Sequence, residues 1–340
     1  MPIFRPGSEM NIRDKIKDKI LDKLIADEGE PVSGEKLAKE LSISRSAVWK
    51  NIKVLRDEGY MIESSTNLGY SLVSSPDTLS SARIKAGLET KLIGKDIEYF
   101  KETESTNTIA REIAGSVDEG TVVIAESQTG GRGRLGRKWI SPEGGIWFSI
   151  ILKPKIQPLH APRITLLAGV AVAKTISTYG LEARIKWPND VLISGKKVCG
   201  ILTEIEAEMD LIDYCVVGIG IDANVDTESF PEEIRQNSTS LKKELGHEIA
   251  RVEFVQKLLS EFESLYLRFQ KEGFPPILEE WREMSATIGE WVKITTQSKT
   301  VYGEAIGVDN EGALILETGE GRLEKIVAGN CEHLRRGQGA

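Results

Sequence analysis

The chain has 340 residues and a formal net charge of −8, with 40% hydrophobic and 28% charged residues. These totals are typical of a soluble protein of two or three domains, and no apolar run approaches the roughly 20 residues that a membrane-spanning helix needs. The three cysteines and three histidines are scattered without a CxxC pair, which argues against a disulfide framework or a zinc site. The N-terminus lacks a long apolar stretch, so we expect a reduced, cytoplasmic protein that does not enter a membrane.

Residues 1–10 carry no periodic pattern, and we expect them to be flexible. From residue 11 on, Ile12, Ile16, Ile20 and Leu24 recur at every fourth position, which predicts an amphipathic helix. Ser33 and Ser44 are expected to cap two further helices. The third helix would bury Val48, Ile52 and Leu55 and would expose a polar face made of Arg45, Ser46, Trp49, Lys50 and Lys53.

Two short helices joined by a tight turn, with cations on the outer face of the second, indicate a helix-turn-helix. The segment YMIESSTNLGYSL adds two short predicted strands around Asn67 and Gly69, which is the pattern of a wing. We therefore predict a DNA-binding domain over residues 11–75, with the polar face of the third helix as its contact surface. The helix pattern alone also allows a three-helix packing module with a solvated basic face. The serine-rich residues 76–82 predict a linker.

Residues 83–274 mix strand and helix patterns. TVVIA (121–125), GIWFSIIL (145–152) and residues 211–221 read as strands, and Ser194-Gly195 marks a hairpin. Residues 164–179 and 254–269 read as helices. Hairpins with segregated helices indicate an α+β domain on a mixed or antiparallel sheet.

The stretch GRGRLGRKW, residues 131–139, gathers four cations within seven residues: Arg132, Arg134, Arg137 and Lys138. Its glycines allow the backbone to approach a ligand closely, and arginine forks bind phosphate and carboxylate. The stretch thus predicts a loop that closes over a polyanion and becomes ordered when the polyanion binds. A solvated surface loop and a nucleic-acid patch are the alternatives, and the lack of interleaved aromatic residues disfavours the patch.

Other short motifs supply matching chemistry. In KWPND, Lys186 precedes Asn189 and Asp190, whose oxygens suit Mg²⁺ or a ribose hydroxyl. Lys197 opens the strand KVCGIL, and Gly218-Ile219-Gly220 leaves a strand backbone open to close approach. Ser105, Thr106 and Asn107 begin a helix with two hydroxyls and an amide.

Taken in order, ESTN, QTGGRGRLGRKW, KWPND, KVCGIL and GIGI resemble the motifs of the biotin–protein ligases, specifically the bifunctional type that is also the biotin operon repressor. SRSAVWKNIKVLRDEGY resembles winged helix-turn-helix regulators. The resemblance runs from Ile12 to about Arg335. It implies a biotin–[acetyl-CoA-carboxylase] ligase that uses ATP and Mg²⁺ to make biotinyl-5′-AMP and transfers biotin to a lysine of an acceptor protein. It also implies a biotin-responsive repressor that binds operator DNA and dimerises when adenylate is bound.

The resemblance also implies roles for individual residues. Lys197, Arg132 and Arg134 would be catalytic. Biotin would contact Ser105, Thr106, Asn107, Gln128, Arg132, Gly133, Arg134 and Lys197. ATP would contact Arg134, Arg137, Trp139, Lys186, Asn189 and Asp190, and Mg²⁺ would bind at Asn189 and Asp190. The chain departs from the pattern at Asp222, where many members have Asn, and no role is carried over to it.

Residues 275–340 predict a short helix at 275–284 and four short strands (WVKIT, YGEAIGV, ALILE and RLEKIV), which together suggest a small SH3-like β-barrel. The complete prediction is an α+β protein with an N-terminal winged helix-turn-helix, a central ligase domain on a mixed sheet and this C-terminal barrel. Three rival functions stay open: a ligase with a non-regulatory N-terminal domain, a non-catalytic biotin-sensing regulator, and a lipoate-type acyl transferase.

Overall fold

The computed structural model describes residues 12–27, 30–65, 68–208, 210–319 and 321–334. Two compact units emerge from it, each treated separately below. One holds the described residues up to Glu89 together with residues 250–256, and the other holds the rest. The N-terminus expected to be flexible, residues 1–10, and Asn67 of the predicted wing lie outside the described residues. The domain boundaries at 75, 82 and 274 stay a prediction.

The first unit contains the predicted helix-turn-helix. Its elements are helices α1 (Ile12–Ala26), α2 (Gly34–Glu40) and α3 (Arg45–Asp57), strands β1 (Met61–Ser65) and β2 (Gly69–Ser74), and helix α4 (Ser81–Ala86). Ser33 Oγ accepts a hydrogen bond from the Lys36 N–H at 3.0 Å, and Ser44 Oγ accepts one from the Ala47 N–H at 3.1 Å, so both serines cap helices as predicted. β1 and β2 pair as an antiparallel hairpin. Helix α4 was not predicted.

The core of this unit follows the periodicity of the sequence. Ile20, Leu24, Leu37, Val48, Ile52 and Leu55 are buried in one cluster, and Ile16 packs partly buried against it. The inner face predicted for α3 is confirmed, because Val48, Ile52 and Leu55 are fully buried. That burial leaves the opposite face of α3 to solvent.

A seven-stranded sheet organises the second unit. Its strands are β3 (Ile97–Thr103), β4 (Val122–Gln128), β5 (Ile146–Leu152), β6 (Ala183–Lys186), β7 (Asp190–Ile193), β8 (Lys196–Glu208) and β9 (Leu211–Ile221), in the order β3-β4-β5-β9-β8-β7-β6. The β3–β4 pair is parallel and the other pairs are antiparallel, so the sheet is mixed. Ser194 and Gly195 have φ of 51° and 77°, as the tight β7–β8 hairpin requires.

The remaining helices are α5 (Thr106–Ile113), α6 (Ala161–Ser177), α7 (Glu232–Arg235), α8 (Leu241–Leu245), α9 (Arg251–Glu272) and α10 (Pro275–Glu283). Helix α5 packs on β4, β5 and β9, while α6 packs on β6 and β8. The first two turns of α9 fall within the first unit. Among the described residues, no helix is long and apolar enough to cross a membrane.

The C-terminal part of the second unit is a five-stranded antiparallel sheet of order β13-β12-β11-β10-β14. Its strands are β10 (Trp291–Thr295), β11 (Thr300–Val308), β12 (Leu314–Glu317), β13 (Leu323–Ile326) and β14 (Asn330–His333). The prediction of four strands was wrong by one, because β14 is only four residues long and pairs with the distant β10. The predicted α+β class with a β-rich C-terminal domain is confirmed.

Candidate functional site

The second unit contains a pocket of about 770 Å³. Every site residue that the sequence predicted outside the helix-turn-helix lines it, namely Ser105, Thr106, Asn107, Gln128, Arg132, Gly133, Arg134, Arg137, Trp139, Lys186, Asn189, Asp190 and Lys197. Among the described residues its lining includes six lysines and arginines against four acidic side chains. The pocket is therefore cationic within an acidic chain, which suits an anionic ligand.

Two paired glycines form a flat floor in this pocket. Gly200 of β8 and Gly220 of β9 are partners in the sheet register. A Cβ on Gly220 would lie 2.5 Å from Trp139 Nε1, and one on Gly200 would lie 2.9 Å from Trp139 Cζ3. The indole ring of Trp139 therefore rests directly on the strand backbone, where any side chain at either glycine would collide with it.

The start of α5 forms one wall through a polar network. The Thr106 N–H donates to Gln128 Oε1 at 2.8 Å, and Gln128 Nε2 donates to Ser141 Oγ at 2.8 Å. The buried Ser149 Oγ lies 2.8 Å from Thr106 Oγ1 and 2.7 Å from Asn107 Oδ1. These bonds fix the orientation of both amide side chains without a ligand. Sequence reasoning missed Ser149, which sits inside an otherwise apolar strand.

The cationic stretch 131–139 folds back on itself. Arg132 and Lys138 form an antiparallel bridge, the Gly133 N–H donates to Arg137 O at 2.7 Å, and the Trp139 N–H donates to Gly131 O at 2.9 Å. At its tip Leu135 has φ of 58° and is 65% exposed. Its own backbone hydrogen bonds form a small hairpin in this conformation, and the predicted ordering of the loop on ligand binding stays a prediction.

The KWPND turn joins the pocket to two other parts of the unit. Arg134 Nη1 donates to Asn189 Oδ1 at 3.1 Å, which ties the cationic loop to the turn. Burial lowers the pKa of Arg134, neighbouring Arg137 adds to that effect, and Asp190 opposes it. On its other side, the Trp187 indole N–H donates to Gly312 O at 3.1 Å, so the loop before β12 supports the turn.

Lys197 lies among three pocket groups. Its Nζ is 2.6 Å from Asp190 Oδ1, an ion pair whose angles fall outside hydrogen-bond geometry, and 5.0 Å from the Trp139 ring centroid. Asp222 also lines the pocket, is 3% exposed and has an Oδ1 without a hydrogen-bond partner. Burial raises the pKa of the Asp222 carboxyl well above its usual value, and Lys197 partly opposes this. Asp222 therefore keeps its proton to a higher pH than an ordinary carboxyl does, which limits the negative charge beside Lys197.

The C-terminal sheet contributes a wall that the sequence did not reveal. Asn330, Cys331, Glu332 and His333 of β14 line the pocket. Burial lowers the pKa of His333 to about 4, and Lys186 adds to the effect, so the imidazole is neutral at pH 7. The sequence pattern did not predict β14. Only the resemblance to the biotin–protein ligases could therefore have connected the C-terminal sheet with the pocket.

The donor set fits Mg²⁺ only in part. Asn189 Oδ1 already accepts from Arg134, and Asp190 is paired with Lys197. Within the described part of the chain, no three His, Cys, Asp or Glu side chains cluster as metal ligands. The residues therefore provide one carboxylate rather than a protein-built metal cage.

The buried cysteines are not nucleophiles at neutral pH. Burial raises the pKa of Cys199 well above its usual value and those of Cys215 and Cys331 to about 12. The thiolate is the reactive form, so these thiols are inert.

In the first unit, the outer face of α3 forms a second candidate site. Arg45, Ser46, Trp49, Lys50 and Lys53 are all exposed, with Trp49 at 54%. Ser46 Oγ lies 2.8 Å from the capping Ser44 Oγ. Arg56 Nε donates to Ile62 O at 2.8 Å, which joins the last turn of α3 to the wing hairpin. This hydrogen bond holds the β1–β2 hairpin against α3, whose outer face presents cations and polar groups to solvent.

Comparisons with known proteins match each region of the chain. The family described as "Biotin/lipoate A/B protein ligase family" matches residues 99–222, "HTH domain" matches 17–71, and "Biotin protein ligase C terminal domain" matches 287–334. The chain is 43% identical to the bifunctional ligase/repressor BirA of Bacillus subtilis over 89% of this chain and 94% of that protein. It is 32% identical to the Escherichia coli protein of the same name, over 85% of this chain and 89% of that protein.

Solved structures give the same likeness. The biotin protein ligase from Aquifex aeolicus in complex with biotin and ATP is 31% identical, with a TM-score of 0.62. The match covers 71% of this chain and 99% of that one.

Proposed function

The chain belongs to the family of the bifunctional ligase/repressor BirA proteins, and from that premise we propose that it activates biotin with ATP and transfers the biotin to a lysine of an acceptor protein. One observation carries the proposal: Arg132 and Arg134 of the cationic hairpin and Lys197 of β8 come from two distant stretches of sequence and converge on one pocket beside Trp139. A pocket with these cations and no reactive thiol suits a reaction that joins two anions.

In the first step, an oxygen of the biotin carboxylate attacks the α-phosphorus of ATP. The bond from this phosphorus to the oxygen bridging to the β-phosphorus breaks, and pyrophosphate leaves with the electron pair. Both reactants are negative, so Lys197, Arg132 and Arg134 offset their repulsion and hold them in line. Ser105, Thr106, Asn107 and Gln128 form the biotin wall, while Arg137, Trp139, Lys186, Asn189 and Asp190 face the nucleotide.

In the second step, the neutral amine of the acceptor lysine attacks the carbonyl carbon of biotinyl-5′-AMP. The bond from that carbon to the phosphate oxygen breaks, AMP leaves and the amine loses a proton. Water would destroy the same mixed anhydride, so the hairpin 131–139, tied to the KWPND turn through Arg134 and Asn189, protects it. The acceptor is a biotin carrier domain of a carboxylase.

Mg²⁺ usually binds through substrate phosphates and one or two carboxylates. In this pocket Asp190 is the carboxylate that could share such an ion, with Asn189 beside it, and the ion would offset phosphate charge. With Asp190 bound to the ion, Lys197 would lose its ion pair with Asp190 and could contact the substrate anions.

Biotin-dependent release of pyrophosphate from ATP tests the catalytic proposal. The protein should release pyrophosphate when biotin is present and should label a carrier domain at its lysine. A protein that binds biotin and ATP without releasing pyrophosphate would instead be the non-catalytic regulator. The lipoate-type transferase would show the same release with lipoate in place of biotin.

We also propose that the first unit binds operator DNA as part of a dimer that forms when adenylate is bound. The exposed cations of α3 support this function. A single helix-turn-helix contacts a short half-site, so a twofold dimer reading a palindrome is the expected assembly. If adenylate tightens DNA binding by favouring the dimer, DNA must tighten adenylate binding by the factor by which adenylate tightens DNA binding.

Operator affinity measured with and without biotin and ATP, at fixed salt, tests this part. Lys50→Ala should weaken binding, and Lys299→Ala, which removes an exposed lysine outside the helix-turn-helix, is the control. A protein that ligates biotin but binds DNA equally in both conditions, with unchanged dimerisation, would be a ligase with a non-regulatory N-terminal domain.

A further inference from the structure

One carboxylate just outside the pocket receives nitrogen donors from two elements. Glu204 of β8 has Oε2 2.8 Å from Asn107 Nδ2 and 3.6 Å from Arg132 Nη2, and its Oε1 is 3.5 Å from Arg111 Nη1. The side chain is 23% exposed and is not among the pocket-lining residues. Glu204 therefore connects the biotin wall on α5 with the cationic hairpin without facing the ligand itself.

The contact with Glu204 is one of three that determine which way the Asn107 amide points. Asn107 Nδ2 donates to Glu204 Oε2 and, at 3.3 Å, to Leu202 O, while Oδ1 lies 2.7 Å from Ser149 Oγ. A flipped amide would turn its oxygen toward two acceptors. Asn107 is 4% exposed and fits only because Gly218 has no side chain, since a Cβ there would lie 2.0 Å from Asn107 Oδ1. Removing Glu204 takes away the closer of the two acceptors that hold this buried amide.

The contact with Arg132 is of a different kind. The Arg132 side chain is 43% exposed, donates to Thr108 Oγ1 at 3.3 Å and meets Glu204 at ion-pair distance. Half-exposed pairs of this length contribute little to stability. Glu204 thus keeps Arg132 next to α5 through a weak ion pair. Because a guanidinium has several N–H donors, Arg132 can keep this pair while it contacts an anion in the pocket.

From these contacts we propose that Glu204 is a positioning residue for biotin activation: it orients the Asn107 amide on the biotin wall and holds Arg132 at the rim of the pocket. The proposal rests on the proposed function. Glu204 touches no reacting atom in it. Its two tasks are chemically separable, because orienting Asn107 needs only an acceptor oxygen, whereas holding Arg132 needs negative charge.

Two substitutions separate the tasks. Glu204→Gln keeps an acceptor oxygen for Asn107 but removes the charge, and Glu204→Ala removes both. Arg111→Gln is the matched control, because it changes the exposed partner of the same carboxylate and leaves Asn107 and Arg132 in place. Pyrophosphate release gives KM and kcat for biotin, and dissociation of preformed biotinyl-5′-AMP reports on the hairpin.

Glu204→Ala should raise the KM for biotin about tenfold, since a buried amide loses a partner. Glu204→Gln should restore that KM to within about threefold of the wild type. Both variants should lose adenylate several-fold faster, because Arg132 is released in both. Arg111→Gln should change each value by less than about twofold.

A wild-type KM and adenylate lifetime in Glu204→Ala would overturn the proposal, as would a Glu204→Gln variant whose biotin KM is no better than that of Glu204→Ala. If Glu204→Ala does not fold, Glu204→Gln alone decides. Faster adenylate loss with a near-normal KM for biotin supports the proposal, whereas a wild-type adenylate lifetime together with a wild-type KM overturns it. A wild-type protein without biotin-dependent pyrophosphate release refutes the proposed function together with this inference. If the wild type is active but Glu204→Ala and Glu204→Gln have the same KM for biotin, this inference alone is refuted.

Discussion

Lys197 Nζ lies 2.6 Å from Asp190 Oδ1. Asp190 begins the outgoing strand of the β7–β8 hairpin and pairs with Gly200, while Lys197 is the second residue of the return strand and pairs with Leu192. The long lysine side chain spans this offset to reach the carboxylate. Both side chains are partly exposed to the pocket, at 30% and 22%. The ammonium therefore has a counter-ion before the substrates arrive and is within reach of an anion that enters.

Lys197→Ala should reduce the rate of adenylate formation by about 10²–10³, a typical loss for a preorganised charge. The carboxylate and phosphate would lose their shared cation. The rate of biotin-dependent pyrophosphate release measures the effect. Lys299→Ala, which removes a surface lysine paired with Glu324, is the control. An unaltered rate in Lys197→Ala would remove this residue from the mechanism.

Arg134→Gly should loosen the site rather than inactivate it. The hydrogen bond from Arg134 Nη1 to Asn189 Oδ1 joins the hairpin to the KWPND turn, and its loss lets the hairpin open. Adenylate would then escape and modify exposed lysines of unrelated proteins, which mass spectrometry detects as stray biotinylation. Asn189→Ala removes the other partner and should show part of the same effect. No rise in stray labelling in either variant would rule out the shielding role.

Glu263→Gln should destabilise the second unit. The Glu263 carboxylate is 7% exposed and accepts the N–H groups of Lys91, Leu92 and Ile93 at 2.6–3.1 Å. A glutamine turns an NH₂ group toward these donors, and buried unmade bonds cost about 1–3 kcal/mol. Urea denaturation measures the loss. Glu261→Gln, which removes the partly exposed partner of Lys174, should cost less than about 1 kcal/mol, and equal losses in the two variants would contradict the prediction.

Asp222 should make the protein less stable as pH rises. Burial raises the pKa of Asp222 well above its unfolded value of 3.8, so between these two pKa values the folded state holds a proton that the unfolded state has lost. The unfolding free energy therefore falls with pH across that window. His333, with its pKa lowered from 6.5 to about 4, gives the opposite slope below pH 6.5 and none above it.

Unfolding free energies of the wild type and Asp222→Asn, compared at each pH from 3.8 upward, isolate the Asp222 contribution, because His333 contributes equally to both proteins. The asparagine cannot ionise, so its stability should decline less with pH, and the gap between the two proteins should widen. Profiles that stay parallel over the whole range above pH 3.8 would mean that Asp222 carries no extra proton in the folded state.

Local chemistry explains what the sequence could predict. The caps Ser33 and Ser44 bond to backbone three residues away, and the φ values of Ser194 and Gly195 depend on a tight turn, so short segments determine them. Gly218-Ile219-Gly220 was recognisable from the sequence as a place of close approach, whereas Gly200 was not. The Trp139 ring lies on both Gly200 and Gly220 because the β8–β9 register pairs these two glycines.

Contacts between distant segments explain what the sequence could not predict. Glu204 meets Arg132 and Asn107 only because β8 runs past α5 and the hairpin, and β14 reaches the pocket only through its pairing with β10. Charge spacing also gave no sign that the loop 131–139 would bond to its own backbone. Such features follow from tertiary packing rather than from local pattern.

The most direct test of biotin ligation in this pocket is ATP-dependent labelling of a purified carrier domain, with biotin and lipoate offered separately. The wild-type protein should attach biotin to the carrier lysine, should attach no lipoate and should do neither without ATP, while Lys197→Ala should label far more slowly. Labelling by lipoate instead of biotin, or biotin labelling at the wild-type rate by Lys197→Ala, would contradict the account.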